Sequence, residues 1–210
     1  MLYSLLALAA LFLSTGAPSS NAGSPGGVAI ARATETAQPN DNRTAGGVLR
    51  HGILTVRLEV RRTMWYPEGP DAPGLEVFAF AEEGRQAQIP GPLLRVPEGT
   101  VLRVLLRNPL DQVLTVYGLA RRPRVRSADG AVRLGAGEER ELVFETGAVG
   151  SYYYWGAVGE PSDTAVAAAF VQRTDLDSQL GGGLIVVPPG ASGPPADRVL
   201  VISSWARPGT

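Results

Sequence analysis

The chain has 210 residues, a formal net charge of -1 and 44% hydrophobic residues, with 26 glycines, 17 prolines, one histidine and no cysteine. That length holds one ordinary domain plus tails, and so much glycine and proline points to many turns rather than long helices. The near-zero charge excludes a global pull toward nucleic acid or an anionic membrane. The missing thiols exclude a Cys nucleophile and a thiolate–imidazole copper centre, and leave His51 as the one imidazole for any Ser triad.

All 19 basic residues are Arg. The absence of Lys excludes Schiff-base chemistry, and with abundant Ala, Gly and Pro it points to a GC-rich bacterial genome.

Residues 1–13 form an almost unbroken apolar run, and residues 14–27 are small and polar. This is the layout of a signal peptide with a cleavage site at Ser20-Asn21-Ala22, so 1–22 is read as an export leader, or as an N-terminal apolar anchor, and the protein as periplasmic or extracellular. The run is short of the ~20 apolar residues that span a bilayer. No membrane association is expected beyond it. Residues 23–47 have no periodicity and read as a disordered linker; the domain is expected over 48–205, with a tail at 206–210.

In residues 53–62, Leu54, Val56, Leu58 and Val60 alternate with Thr55, Arg57, Glu59 and Arg61, which predicts a strand with one face in a core. A loop at 67–74 and a strand at 75–80 follow. Pro90 and Pro92 fix a rigid corner around Gly91. An extended piece at 93–96 leads through a turn to 101–107, where Leu102, Val104 and Leu106 face away from Val101, Arg103, Leu105 and Arg107. Asn108-Pro109 closes that run. Further strands are expected at 112–119, 131–134, 139–145, 151–158, 164–172, 182–187 and 198–204. Many short strands between Gly/Pro turns predict an all-β Greek-key sandwich or barrel.

The stretch from Gln88 to Leu110 resembles the first-domain signature of multicopper oxidases, which are built from cupredoxin (plastocyanin-like) domains. Gly150-Ser151-Tyr152-Tyr153-Tyr154 resembles the family's Gly-Thr-Tyr-Trp-Tyr run. The segment from Gln179 to Val187 resembles the strand after the ligands, and that from Asp197 to Trp205 resembles the end of the first domain. The resemblance implies a cupredoxin-type fold and copper as the family cofactor, held by two His-x-His pairs of a three-copper cluster that reduces oxygen. It places those ligands at Thr115 and Tyr117, before Gly118-Leu119, and at Trp155 and Ala157, around Gly156. Indole and methyl groups offer no lone pair to a metal, and hydroxyls replace imidazole poorly. Neither a metal site nor catalytic residues are therefore expected.

Other candidates read as follows. His51, between Arg50 and Gly52, is an ordinary residue at a strand entrance. Tyr152, Tyr153, Tyr154 and Trp155 are a candidate surface for a sugar or aromatic ligand, with Tyr152 and Tyr154 on one strand face and Tyr153 and Trp155 on the other. Arg121, Arg122, Arg124 and Arg126 are a candidate partner contact; without interleaved aromatics they do not suggest nucleic acid. Gly181-Gly182-Gly183 lacks the Lys and Ser/Thr of a phosphate loop. Asp175 and Asp177 are too few oxygens for calcium. Glu138, Glu139 and Glu141 read as a turn and an exposed strand face.

Two functions remain. One is an exported, non-catalytic structural or binding module that has lost its copper ligands and partners another cupredoxin domain or protein. The other is a piece of a working, copper-dependent oxidase whose remaining domains lie on a separate or truncated chain.

Overall fold

The computed structural model describes residues 35–120, 130–159, 175–191 and 197–205. The alternation in residues 53–62 becomes the long strand β3 (Ile53–Trp65), joined to β2 (Val48–Arg50) by a two-residue turn at His51 and Gly52. Both turn residues have positive φ, 48° and 74°, the geometry that suits a tight hairpin. His51 stands exposed at its tip. The remaining strands are β1 (Gln38–Pro39), β4 (Leu75–Glu82), β5 (Gln88–Ile89), β6 (Gly91–Pro97), β7 (Val101–Arg107), β8 (Leu114–Tyr117), β9 (Val132–Leu134), β10 (Glu139–Glu145), β11 (Gly150–Val158) and β12 (Gly181–Val187).

These strands form two mixed sheets. One runs β1-β5-β4-β3-β7-β10 with β2 added on β3, and the other runs β6-β12-β11-β8-β9. The chain passes from the first sheet to the second and back between β5, β6, β7 and β8, so β3 pairs parallel with β7, and β6 with β12. The fold is all-β, as expected from the turn spacing. No helix among the described residues is long and apolar enough to cross a membrane.

The core fills the space between the sheets. Leu54, Val56, Leu58 and Val60 of β3 enter it beside Leu102, Val104 and Leu106 of β7, as the alternation predicts, and meet Leu94, Val116, Tyr154 and Leu184 from the facing sheet. Residue type decides the second side of β4. Phe78 and Phe80 join the main core, while Val77, Ala79 and Ala81 pack into a smaller cluster with Ala37, Ala87 and Ile89. Asn108 is fully buried and closes β7: its Nδ2 donates to the Gln112 and Gly135 carbonyls at 2.8 Å each, and its Oδ1 accepts from the Leu110 N–H.

Two expectations are corrected. Residues 35–47 belong to the folded domain and not to a linker. Gln38 and Pro39 pair with Gln88 and Ile89, Ala37 is 4% exposed, and Glu35 accepts from the Ala87 N–H at 2.7 Å while pairing with Arg61. Edge pairing of this kind is made by backbone and by Asn or Glu side chains, so it leaves no apolar periodicity in the sequence. The last expected strand, 198–204, is not a strand and joins no ladder among the described residues. It is held instead by side chains, as described below. The expected strand at 164–172, the leader and the tail lie outside the described residues.

Candidate functional site

β8 and β11 are antiparallel neighbours, with Tyr117 opposite Trp155, Val116 opposite Gly156 and Thr115 opposite Ala157. Opposed residues share a face and successive residues alternate. Val116 is in the core, and a Cβ on Gly156 would meet the Leu180 side chain at 2.6 Å. Thr115, Tyr117, Trp155 and Ala157 therefore stand together on the opposite, outer face. The four positions identified from the resemblance converge in space although about forty residues of sequence separate the two pairs. Gly118 keeps β8 close to β11: its φ is 80°, and a Cβ there would lie 2.4 Å from the Tyr153 carbonyl. Leu119 beside it is fully buried.

The chemistry of this face is set by packing. The rings of Tyr117 and Trp155 lie stacked, 4.1 Å between centroids and 13° between planes. Burial pushes the Tyr117 phenol above its ordinary range, which disfavours the phenolate a metal would need. Thr115 is 5% exposed and its hydroxyl is buried without a hydrogen-bond partner. Ala157 offers only a methyl group. This donor set does not fit copper: it has one buried neutral hydroxyl, one phenol turned into a stack, and no imidazole or thiolate. Among the described residues no group of three or more His, Cys, Asp or Glu could hold a metal ion.

The aromatic run is split by its strand, on the faces the alternation predicts. Tyr154 is fully buried, so it is a core residue and no part of a binding surface. Its hydroxyl donates to the Pro92 carbonyl at 2.6 Å, its ring lies 5.2 Å from Phe80, and burial pushes its phenol far above the ordinary range. Gly182, directly opposite, is required there because a Cβ would sit 2.5 Å from the Tyr154 hydroxyl. Tyr152 turns its edge to the core and donates to the Ala148 carbonyl at 2.7 Å. Tyr153 is 54% exposed on the outer face, the same side as Trp155. Arg121, Arg122, Arg124 and Arg126 lie outside the described residues.

The acidic candidates serve the scaffold. Asp177 accepts from the Val158 N–H, and the Asp175 carbonyl accepts from Ser178 N–H. Glu138 accepts from the Gly135 N–H at 2.7 Å and pairs with Arg140, and these two contacts, in that order, hold its carboxyl below the ordinary range. Sequence reasoning missed Gln179. It is 3% exposed, donates to the Ser204 carbonyl at 2.9 Å and accepts from the Ser203 hydroxyl at 2.8 Å, fixing the end of the segment 197–205. A polar residue between a turn and a glycine run gives no signal of a partner about 25 residues away.

No protein-family model matches the chain, and no curated protein sequence does. Solved structures with a similar fold include multicopper oxidases and copper nitrite reductases. A multicopper oxidase from Campylobacter jejuni is 20% identical with a TM-score of 0.47, over 73% of this chain and 30% of its own. Lac15 from a marine microbial metagenome is 22% identical with a TM-score of 0.44, over 67% and 33%. A copper nitrite reductase from Nitrosomonas europaea is 19% identical with a TM-score of 0.45, over 66% and 43%. The chain thus spans about a third of the length of the first two.

Proposed function

We propose that this chain is an exported cupredoxin-type domain of multicopper-oxidase descent that acts as a copper-free structural or binding module, with another cupredoxin domain or protein as its partner. The observation that carries the reading is the cross-strand set Thr115, Tyr117, Trp155 and Ala157. It has the convergent placement that the resemblance assigns to copper ligands, yet an aromatic stack fills it and imidazole is absent. Descent explains the placement; loss of the donors explains the packing. The apolar residues 1–13 followed by small residues support export.

Metal analysis of the purified protein after loading with Cu(II) and exhaustive dialysis tests the reading. Retained copper well below one per chain, in a protein folded by circular dichroism, is expected. Near-stoichiometric copper would favour the second function, a piece of a working oxidase, and would require ligands outside this set.

A further inference from the structure

Residues 35–46 lie along the chain where it passes from one sheet to the other. Gln38 and Pro39 pair in parallel with Gln88 and Ile89 of the first sheet, and Ala45 bridges Leu93 of the second. The N–H groups of Ala37, Gln38, Asn40 and Gly46 donate to the carbonyls of Met64, Ala87, Ile89 and Leu93 at 2.7–3.0 Å. Glu35 anchors the start. Its carbonyl accepts from the Met64 N–H and the Thr63 hydroxyl at 2.8 Å each. Its carboxylate accepts from the Ala87 N–H at 2.7 Å and pairs with Arg61 at 2.9 Å. Further on, Asn40 Nδ2 donates to the Gly91 carbonyl and Asn42 Nδ2 to the Val199 carbonyl. Each of these contacts runs from the segment to the body of the domain.

Little apolar surface holds the segment in this groove. Of residues 35–47 only Ala37, Asn42 and Gly46 are buried, so the one buried apolar side chain is the Ala37 methyl. Hydrogen bonds add little net stability each, because water replaces them on opening. A segment held this way can open locally while the core between the sheets stays intact. The turn that returns the segment to its own groove is tight. Gly47, which joins it to β2, has a φ of 77°, and a Cβ there would lie 2.8 Å from the Thr55 carbonyl. Only glycine takes that turn without strain.

We propose that the groove along residues 87–93 is a strand-docking site whose other occupant is the same segment of a second copy of the chain, giving a dimer that exchanges residues 35–46. Every contact named above is kept in such a dimer, because the exchanged segments are identical; the turn at Gly47 is what changes. A segment on a short tether competes at an effective concentration of about 1 mM, so exchange becomes populated as the chain approaches that concentration. The inference goes beyond the copper-free module. It uses none of Thr115, Tyr117, Trp155 and Ala157, and it would hold equally in a copper-binding chain.

The chain has no cysteine, so Gln38→Cys and Gln88→Cys each place a single thiol. Residues paired on neighbouring strands lie about 5 Å apart, within disulfide reach. The two full-length variants are mixed at about 1 mM and oxidised in air, and the linked peptides are identified by mass spectrometry. The disulfide from residue 38 of one chain to residue 88 of another should exceed the 38–38 and 88–88 products of random collision at least tenfold. Light scattering of the unsubstituted chain should show a dimer that grows with concentration. Gly47→Val opposes the closed turn alone and should raise the dimer-to-monomer ratio at least tenfold; because it risks the fold, the cysteine pair is the deciding experiment. An unsubstituted chain that stays monomeric at about 1 mM overturns the proposal, as does a Gly47→Val chain folded by circular dichroism that dimerises no more. A dimer without preference for the 38–88 disulfide also overturns it, and assigns association to another surface.

Discussion

The hydroxyl of Tyr154 reaches across the core to the Pro92 carbonyl, 2.6 Å away, along a path left open by Gly182 on the neighbouring strand. A fully buried phenol is tolerated only because its one polar atom is satisfied. Tyr154→Phe leaves the Pro92 carbonyl unsatisfied and should cost about 1–2 kcal/mol in urea unfolding. Gly182→Ala drives a methyl group into the same hydroxyl and should cost about 1–3 kcal/mol. The two should be non-additive, the glycine substitution costing less once the hydroxyl is gone.

Thr115 carries the opposite defect, a buried hydroxyl with no partner. Thr115→Val removes an unsatisfied polar atom at nearly constant shape, so stability should be unchanged or rise by up to ~2 kcal/mol. A chemical denaturation midpoint that falls would show that the hydroxyl is engaged.

The segment 35–47 should be needed for full stability. A chain beginning at 48 loses the Glu35 contacts to Ala87, Thr63 and Arg61, together with the Ala37 plug over β4. Several partly buried hydrogen bonds at about 1 kcal/mol each predict a loss of about 2–4 kcal/mol relative to a chain beginning at 35, measured by urea unfolding of both.

The Arg95–Asp197 tie should respond to acid. The Arg95 hydrogen bond is the main reason the Asp197 carboxyl lies below its ordinary 3.8. A carboxylate depressed in the folded state contributes stability above its unfolded pKa and loses it as pH falls through the folded value. The segment 197–205 should therefore stay tied at neutral pH and loosen only below about pH 4. Carboxyl NMR titration should place Asp197 below 3.8, and Arg95→Ala should move it upward.

Much of the fold could be read from residue order, because alternation reports burial directly. Leu102, Val104 and Leu106 were expected in the core and lie there. The Tyr152 to Trp155 run also divides between faces as a strand must. What could not be read is contact made by polar groups far apart in sequence. Asn108 was read as a terminator, yet it gathers the carbonyls of Gln112 and Gly135. Residues 198–204 carry the apolar run Val199-Leu200-Val201-Ile202 that reads as a strand, yet among the described residues they join no ladder. The convergence of Thr115 and Tyr117 with Trp155 and Ala157 depends on register between β8 and β11 and was legible only through the family resemblance.

The central claim is that this convergent face has kept its geometry and lost its affinity for copper. Electron paramagnetic resonance of the protein mixed with one equivalent of Cu(II) tests it most directly. The account predicts only the signal of loosely held copper, unchanged by Tyr117→Phe. A discrete protein-bound Cu(II) spectrum at full occupancy that disappears on Tyr117→Phe would contradict it.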